Sequence, residues 1–232
     1  MKIRLIVALD FDNRESALSL VSQLDPNQCA LKVGSELFTL LGPDFVSELI
    51  NRKFKVFLDL KFHDIPHTVA QACRVAAKLG VWMVNLHASG GFEMMQTAKM
   101  ALNDYEVRPL LIAVTVLTSM NEAGLAATGV PAPLNLHVLH LAKMAHEAGL
   151  DGVVCSAHEA SLIKQHYGLP FLTVTPGIRL PSQSSDDQSR IITPELALKA
   201  GSDYLVVGRP ITRAENPQQV VADLLGSLCL ND

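Results

Sequence analysis

Eight short apolar runs, rich in β-branched residues, constrain the fold of this chain more than any other feature. They lie at Ile3–Asp10, Cys29–Gly34, Val56–Lys61, Met83–Ala88, Leu110–Leu117, Gly152–Ala157, Phe171–Gly177 and Tyr204–Arg209. The first five begin about 27 residues apart, which is room for one strand, one helix and two loops. Segments with helical periodicity fill the gaps, among them Arg14–Gln23, Thr68–Leu79, Glu93–Leu102, Leu136–Ala148, Glu159–His166 and Glu195–Ala200. Val69, Ala72, Cys73, Ala76 and Leu79, for example, fall on one stripe of a 3.6-residue repeat. Strands that alternate with helices build a parallel sheet. Eight such units predict an α/β protein of the closed (β/α)8 TIM barrel type. No Pro/Ser-rich linker interrupts the 232 residues, so a single domain over 1–232 is expected.

Composition narrows the function. A net charge of −4 and the lack of a Lys/Arg-rich run argue against nucleic acid as a partner. The N-terminal MKIRLIVALD reads as neither a signal peptide nor a membrane span, because its apolar run is short and ends in Asp10. Cys29, Cys73, Cys155 and Cys229 are widely spaced, without a paired metal-binding pattern. Reduced thiols and a cytoplasmic location are expected.

The chemistry gathers where the runs end. Active sites of such barrels lie at the carboxyl ends of the strands. The third run, FLDLKFHDIPHTV with its flanking helix start, ends in Asp59 and Lys61, and Asp64 follows in the loop. Alternate strand residues share a face. Asp59 and Lys61 therefore stand together, opposite the aliphatic Val56, Leu58 and Leu60. Asp10 shares a face with Ile6 and Ala8, and Lys32 with Ala30 and Gly34. In a barrel, Asp10, Lys32, Asp59 and Lys61 converge on one mouth, and alternating signs satisfy one another's charge. The fourth run ends near Asn85 and His87, the fifth near Thr118 and Ser119. Each residue also has a plainer use. Asp10 suits a helix cap, Lys32 can snorkel to water, and His87 suits a hydrogen-bonded wall. A metal held by Asp10, Asp59, Asp64 and His87 is disfavoured, because two lysines already neutralise the acids and repel a divalent cation.

The last two runs suggest an anion site. They end in Gly177-Ile-Arg179 and Gly208-Arg209, and barrels often hold phosphate with these loops and a helix N-terminus. Between them LPSQSSDDQSRI, which contains Gln188, has the polarity of a lid that closes over bound ligand.

These residues carry a resemblance. FLDLKFHDIPHTV matches the Asp-x-Lys-x-x-Asp-Ile-x-x-Thr signature of the orotidine 5′-phosphate decarboxylase family. VALD, LKVG, VNLHASGG, TVLTS, TPGIR and VVGRPI match it in the same order over nearly the whole chain. The Asp-x-Lys-x-x-Asp part alone is shared with sugar-phosphate lyases of related barrels, which usually need Mg²⁺. The resemblance implies cofactor-free decarboxylation of orotidine 5′-phosphate to UMP, the last step of de novo pyrimidine nucleotide synthesis. It implies Lys61 as proton donor to C6, with Asp59 beside the substrate carboxylate and Lys32 and Asp10 at the ribose. It also implies Thr118 at the pyrimidine, and Arg179, Gln188, Gly208 and Arg209 at the phosphate. Asp64 and Thr68 would reach the neighbouring subunit's site in a homodimer. Other classes compatible with the residues are a metal-dependent sugar-phosphate lyase, a catalytically silent nucleotide binder and a metal-free phosphosugar isomerase.

Overall fold

The computed structural model describes residues 3–178 and 192–229. Eight strands run through it: β1 (Leu5–Ala8), β2 (Cys29–Gly34), β3 (Val56–Phe62), β4 (Met83–His87), β5 (Leu110–Val114), β6 (Gly152–Val154), β7 (Leu172–Thr175) and β8 (Tyr204–Val207). Each pairs in parallel with the next in sequence, and β8 returns to pair with β1, which closes the barrel. The expected (β/α)8 architecture is thus observed. The connecting helices are α1 (Arg14–Val21), α2 (Ser35–Asn51), α3 (Pro66–Leu79), α4 (Phe92–Met100), α5 (Glu122–Ala127), α6 (Leu134–Glu147), α7 (Ala157–Tyr167), α8 (Pro194–Lys199), α9 (Arg209–Thr212) and α10 (Pro217–Cys229).

Alternation divides the core in two. Leu5, Val7, Leu31, Val33, Val56 and Leu58 point outward to the helix layer. Ile6, Ala8, Ala30, Phe57, Met83, Ile112, Val174 and Val206 fill the lumen. Trp82 meets Tyr204 edge-on, with ring centroids 5.2 Å apart, and both precede or open their strands, so they plug the amino-terminal end. Gly152 lets β6 approach β7: a Cβ there would stand 2.2 Å from the Leu172 carbonyl oxygen. The helix stripe read from sequence is buried at Val69, Cys73 and Ala76 of α3. That helix starts with a proline in its first turn and stops at Gly80, whose φ is 83°. By contrast α2 carries no single stripe, because Gly42 (φ 65°, ψ −166°) and Pro43 break it midway. Several strands are shorter than their apolar runs. Pairing in β5 ends at Val114 and in β6 at Val154, whereas the apolar residues continue into buried loop starts at Val116 and Cys155.

Candidate active site

At the carboxyl end of the barrel the lumen opens into a cavity of about 500 Å³. Its floor is apolar, from Ala8, Phe57, Val154, Val174 and Val206, and its rim is polar. Asp10, Lys32, Asp59, Lys61, Thr118, Gly208 and Arg209 all line it. Ser119 and Gly177 line it too, so nine of the polar and glycine positions singled out from sequence meet in one place.

Four of them form a chain of alternating charge. Lys32 Nζ lies 2.9 Å from Asp10 Oδ1 and 3.4 Å from Asp59 Oδ2, and Lys61 Nζ lies 2.7 Å from Asp59 Oδ1. Exposure is lowest in the middle of the array, and Asp10 at its outer end is 62% exposed. The Lys32 and Asp59 side chains are 11% and 12% exposed, and that of Lys61 is 35% exposed. Both lysines line the cavity, and Lys61 is the more exposed of the two. Burial works against charge on Lys32, but the Asp59 and Asp10 carboxylates outweigh it and hold its pKa above the ordinary lysine value. Gly34 ends β2 beside this network. A Cβ there would stand 3.1 Å from Lys32 Nζ, tight enough to disturb the ammonium.

The third strand reaches this geometry by a route that alternation alone does not describe. Leu58 pairs with Val84 and Phe62 with Leu86, so three residues of β3 oppose one of β4. Lys61 sits in this bulge with φ 53°, in the left-handed region that non-glycine residues rarely occupy. The one opposing residue, Asn85, is fully buried. Its Nδ2 donates to Asp59 Oδ1 at 2.7 Å, and its Oδ1 accepts from the Lys61 backbone N–H at 2.8 Å. An amide in an otherwise apolar strand, MVNLH, was the available sequence signal.

The remaining expectations fall elsewhere. Asp64 and Thr68 are exposed and do not line the cavity of their own chain. Asp64 Oδ1 accepts from the Ile65 N–H at 2.6 Å, and Thr68 lies in the first turn of α3. Arg179 and Gln188 lie outside the described residues. His87, expected as a wall residue, stands off the cavity against His63, with ring centroids 5.6 Å apart. Burial, His63 and Lys61 together lower its pKa, against the opposing pull of Asp59. Arg213, not among the expected residues, also lines the cavity with Arg209. Its four-residue spacing from Arg209, one helical turn, was the signal. Among the described residues no group of three or more His, Cys, Asp or Glu side chains is arranged to hold a metal ion. Nor is any described helix long and apolar enough to cross a membrane.

The fold and site define a (β/α)8 barrel whose carboxyl mouth holds an apolar-floored cavity rimmed by a Lys–Asp–Lys array and by arginine. Residues 3–224 match the model of the orotidine 5′-phosphate decarboxylase / HUMPS family, and the chain belongs to that family. It is 64% identical over 229 residues to orotidine 5′-phosphate decarboxylase of Legionella pneumophila (strain Corby), covering 98% of this chain and 100% of that one. The enzyme of the same name from Pseudoalteromonas translucida is 58% identical over 97% of both chains. The crystal structure of orotidine 5′-phosphate decarboxylase from Lactobacillus acidophilus superposes with a TM-score of 0.86 at 40% identity, covering 97% of this chain and 99% of that one.

Proposed function

We propose that this protein decarboxylates orotidine 5′-phosphate to UMP and CO2 without a cofactor, in the last step of de novo pyrimidine nucleotide synthesis. The observation that carries this reading is the Lys32–Asp59–Lys61 array above an apolar floor. Names of the relatives at 58–64% identity agree with it. Loss of CO2 breaks the bond from C6 to the carboxylate and leaves the electron pair on C6. In this reading the Lys61 ammonium stabilises that charge and then donates its proton to C6, after which solvent reprotonates the amine. Asp59 beside the substrate carboxylate disfavours the charged ground state and holds Lys61 in place. Lys32 and Asp10 bind the ribose hydroxyls, and Thr118 contacts the pyrimidine. Gly208 and Arg209, with Arg179 and Gln188, hold the phosphate. Binding energy at that remote group lowers the barrier at the ring.

In this reading the protein is a cytoplasmic homodimer in which one chain serves as a single domain, and Asp64 and Thr68 complete the partner's site. Their exposure at the head of α3, off their own cavity, supports that role. The deciding experiment follows the absorbance of orotidine 5′-phosphate with purified protein, with and without EDTA. Conversion to UMP that is indifferent to EDTA is the expected result. No conversion by folded protein overturns the proposal: activity on phosphosugars with Mg²⁺ then makes it a sugar-phosphate lyase, and no activity on them leaves a catalytically silent nucleotide binder.

A further inference from the structure

We propose that Asn85 is a positioning residue of this site, a side chain that bonds both Asp59 and the Lys61 backbone and so fixes the two relative to each other. The inference rests on the decarboxylase reading above. Between the Leu58–Val84 and Phe62–Leu86 pairs, β3 spends Asp59, Leu60 and Lys61 where β4 spends only Asn85. Such a bulge interrupts the ladder and leaves backbone groups in need of other partners. Asn85 supplies one from its side chain, accepting from the Lys61 N–H at 2.8 Å, and it donates to the Asp59 side chain at Oδ1 at 2.7 Å.

The task demands a donor and an acceptor on one short planar group, and an amide has both. An ionised carboxylate offers acceptors only, and an aliphatic side chain offers neither. Asn85 is fully buried, so water does not compete for either bond. Asp59 Oδ1 accepts from Asn85 and from Lys61 Nζ together. The amide thus aims the same oxygen that holds the ammonium, while its other end pins the left-handed backbone of that lysine. Asn85 does not line the cavity, so it acts on the reaction only through these two residues.

The test compares wild type with Asn85→Ala and Asn85→Asp, measuring kcat on orotidine 5′-phosphate, UMP affinity by titration and fold by circular dichroism. Asn85→Ala removes both bonds and is expected to lower kcat by about 10²-fold, since small misplacements of reacting groups cost that much. UMP affinity should stay within about threefold, because ribose and phosphate contacts are untouched. Asn85→Asp keeps the acceptor for the Lys61 N–H but sets a second carboxyl against Asp59. Two such groups in contact share a proton as pH falls, which remakes the lost donor. The ratio of its kcat to wild type should therefore rise from about pH 8 to about pH 5.5. Facing that pair are the Lys61 and Lys32 ammonium groups, with Asp10 behind Lys32 and His63 and His87 near Lys61. All are present in both proteins, so the ratio reads what the added carboxyl changes in this cluster. A folded Asn85→Ala with kcat within about threefold of wild type overturns the inference, as misplacement would cost more. A pH-independent ratio for Asn85→Asp overturns it too, and that variant decides alone if Asn85→Ala does not fold. Failure of wild type itself to convert orotidine 5′-phosphate instead counts against the function proposed above.

Discussion

Lys61 Nζ and Asp59 Oδ1 lie 2.7 Å apart although only one residue separates them in the chain. The bulge in β3 turns both side chains to the cavity, and Asp59 in turn contacts Lys32. Removing the ammonium should stop the chemistry and spare the pocket. Lys61→Ala is expected to lower kcat by at least about 10³-fold, the combined scale of proton transfer and charge stabilisation. UMP binding and the circular dichroism spectrum should remain near wild type. Unchanged turnover would remove Lys61 from its assigned role.

A shared site predicts complementation. Asp64→Ala and Lys61→Ala should each be impaired, yet a hybrid dimer holds one site with both native residues. Random exchange makes half of the dimers hybrid, so mixing should restore about a quarter of wild-type activity. Absence of rescue after exchange has been verified by mass spectrometry would confine each site to one chain.

At the other end of the barrel, Asp151 ties β5 to β6. Its carboxylate accepts from Arg108 at 2.6 and 2.7 Å and from the Leu111 N–H at 2.8 Å, and Lys99 lies 3.2 Å away. Burial raises the Asp151 pKa, but Arg108 and the Leu111 N–H overcome it and hold it below the usual carboxylate range. Lys99 is pulled below its ordinary range by burial and by Arg108, despite Asp151. Arg108, itself raised by the Asp151 bonds, is the principal partner. Asp151→Asn should cost about 3 kcal/mol and lower Tm by roughly 6–12 °C. The lowered carboxylate pKa makes this stabilisation complete above the unfolded value and lost as pH falls through the folded one. The difference in unfolding free energy should thus be flat from about pH 5 to about pH 8 and shrink only below about pH 4.

Burial pushes the thiols of Cys29 and Cys73 up to about 12. Thiolate is the reactive form, so iodoacetamide should leave both unlabelled in the native protein at neutral pH. Peptide mapping should find them alkylated once denaturant is added. Labelling of either under native conditions would contradict the packing of β2 or α3.

The barrel, the order of its parts and the identity of its polar mouth follow from local rules. A period of two places Asp10 with Ile6 and Ala8, and Lys32 with Ala30, and a period of 3.6 marks the α3 stripe. Repetition of the two, eight times, leaves few alternatives to a closed parallel sheet. Those patterns depend only on neighbours within one element, which is why they are visible in the chain. The bulge is different in kind. It is a mismatch of register between β3 and β4, a property of two strands that neither carries alone. From it come the left-handed backbone of Lys61 and the two hydrogen bonds of Asn85 to its neighbours, so an asparagine that reads only as a polar residue in a mostly apolar strand becomes the brace of the site. The convergence of Arg108 and Lys99 on Asp151 arises the same way, from segments over forty residues apart brought together by the pairing of β5 with β6.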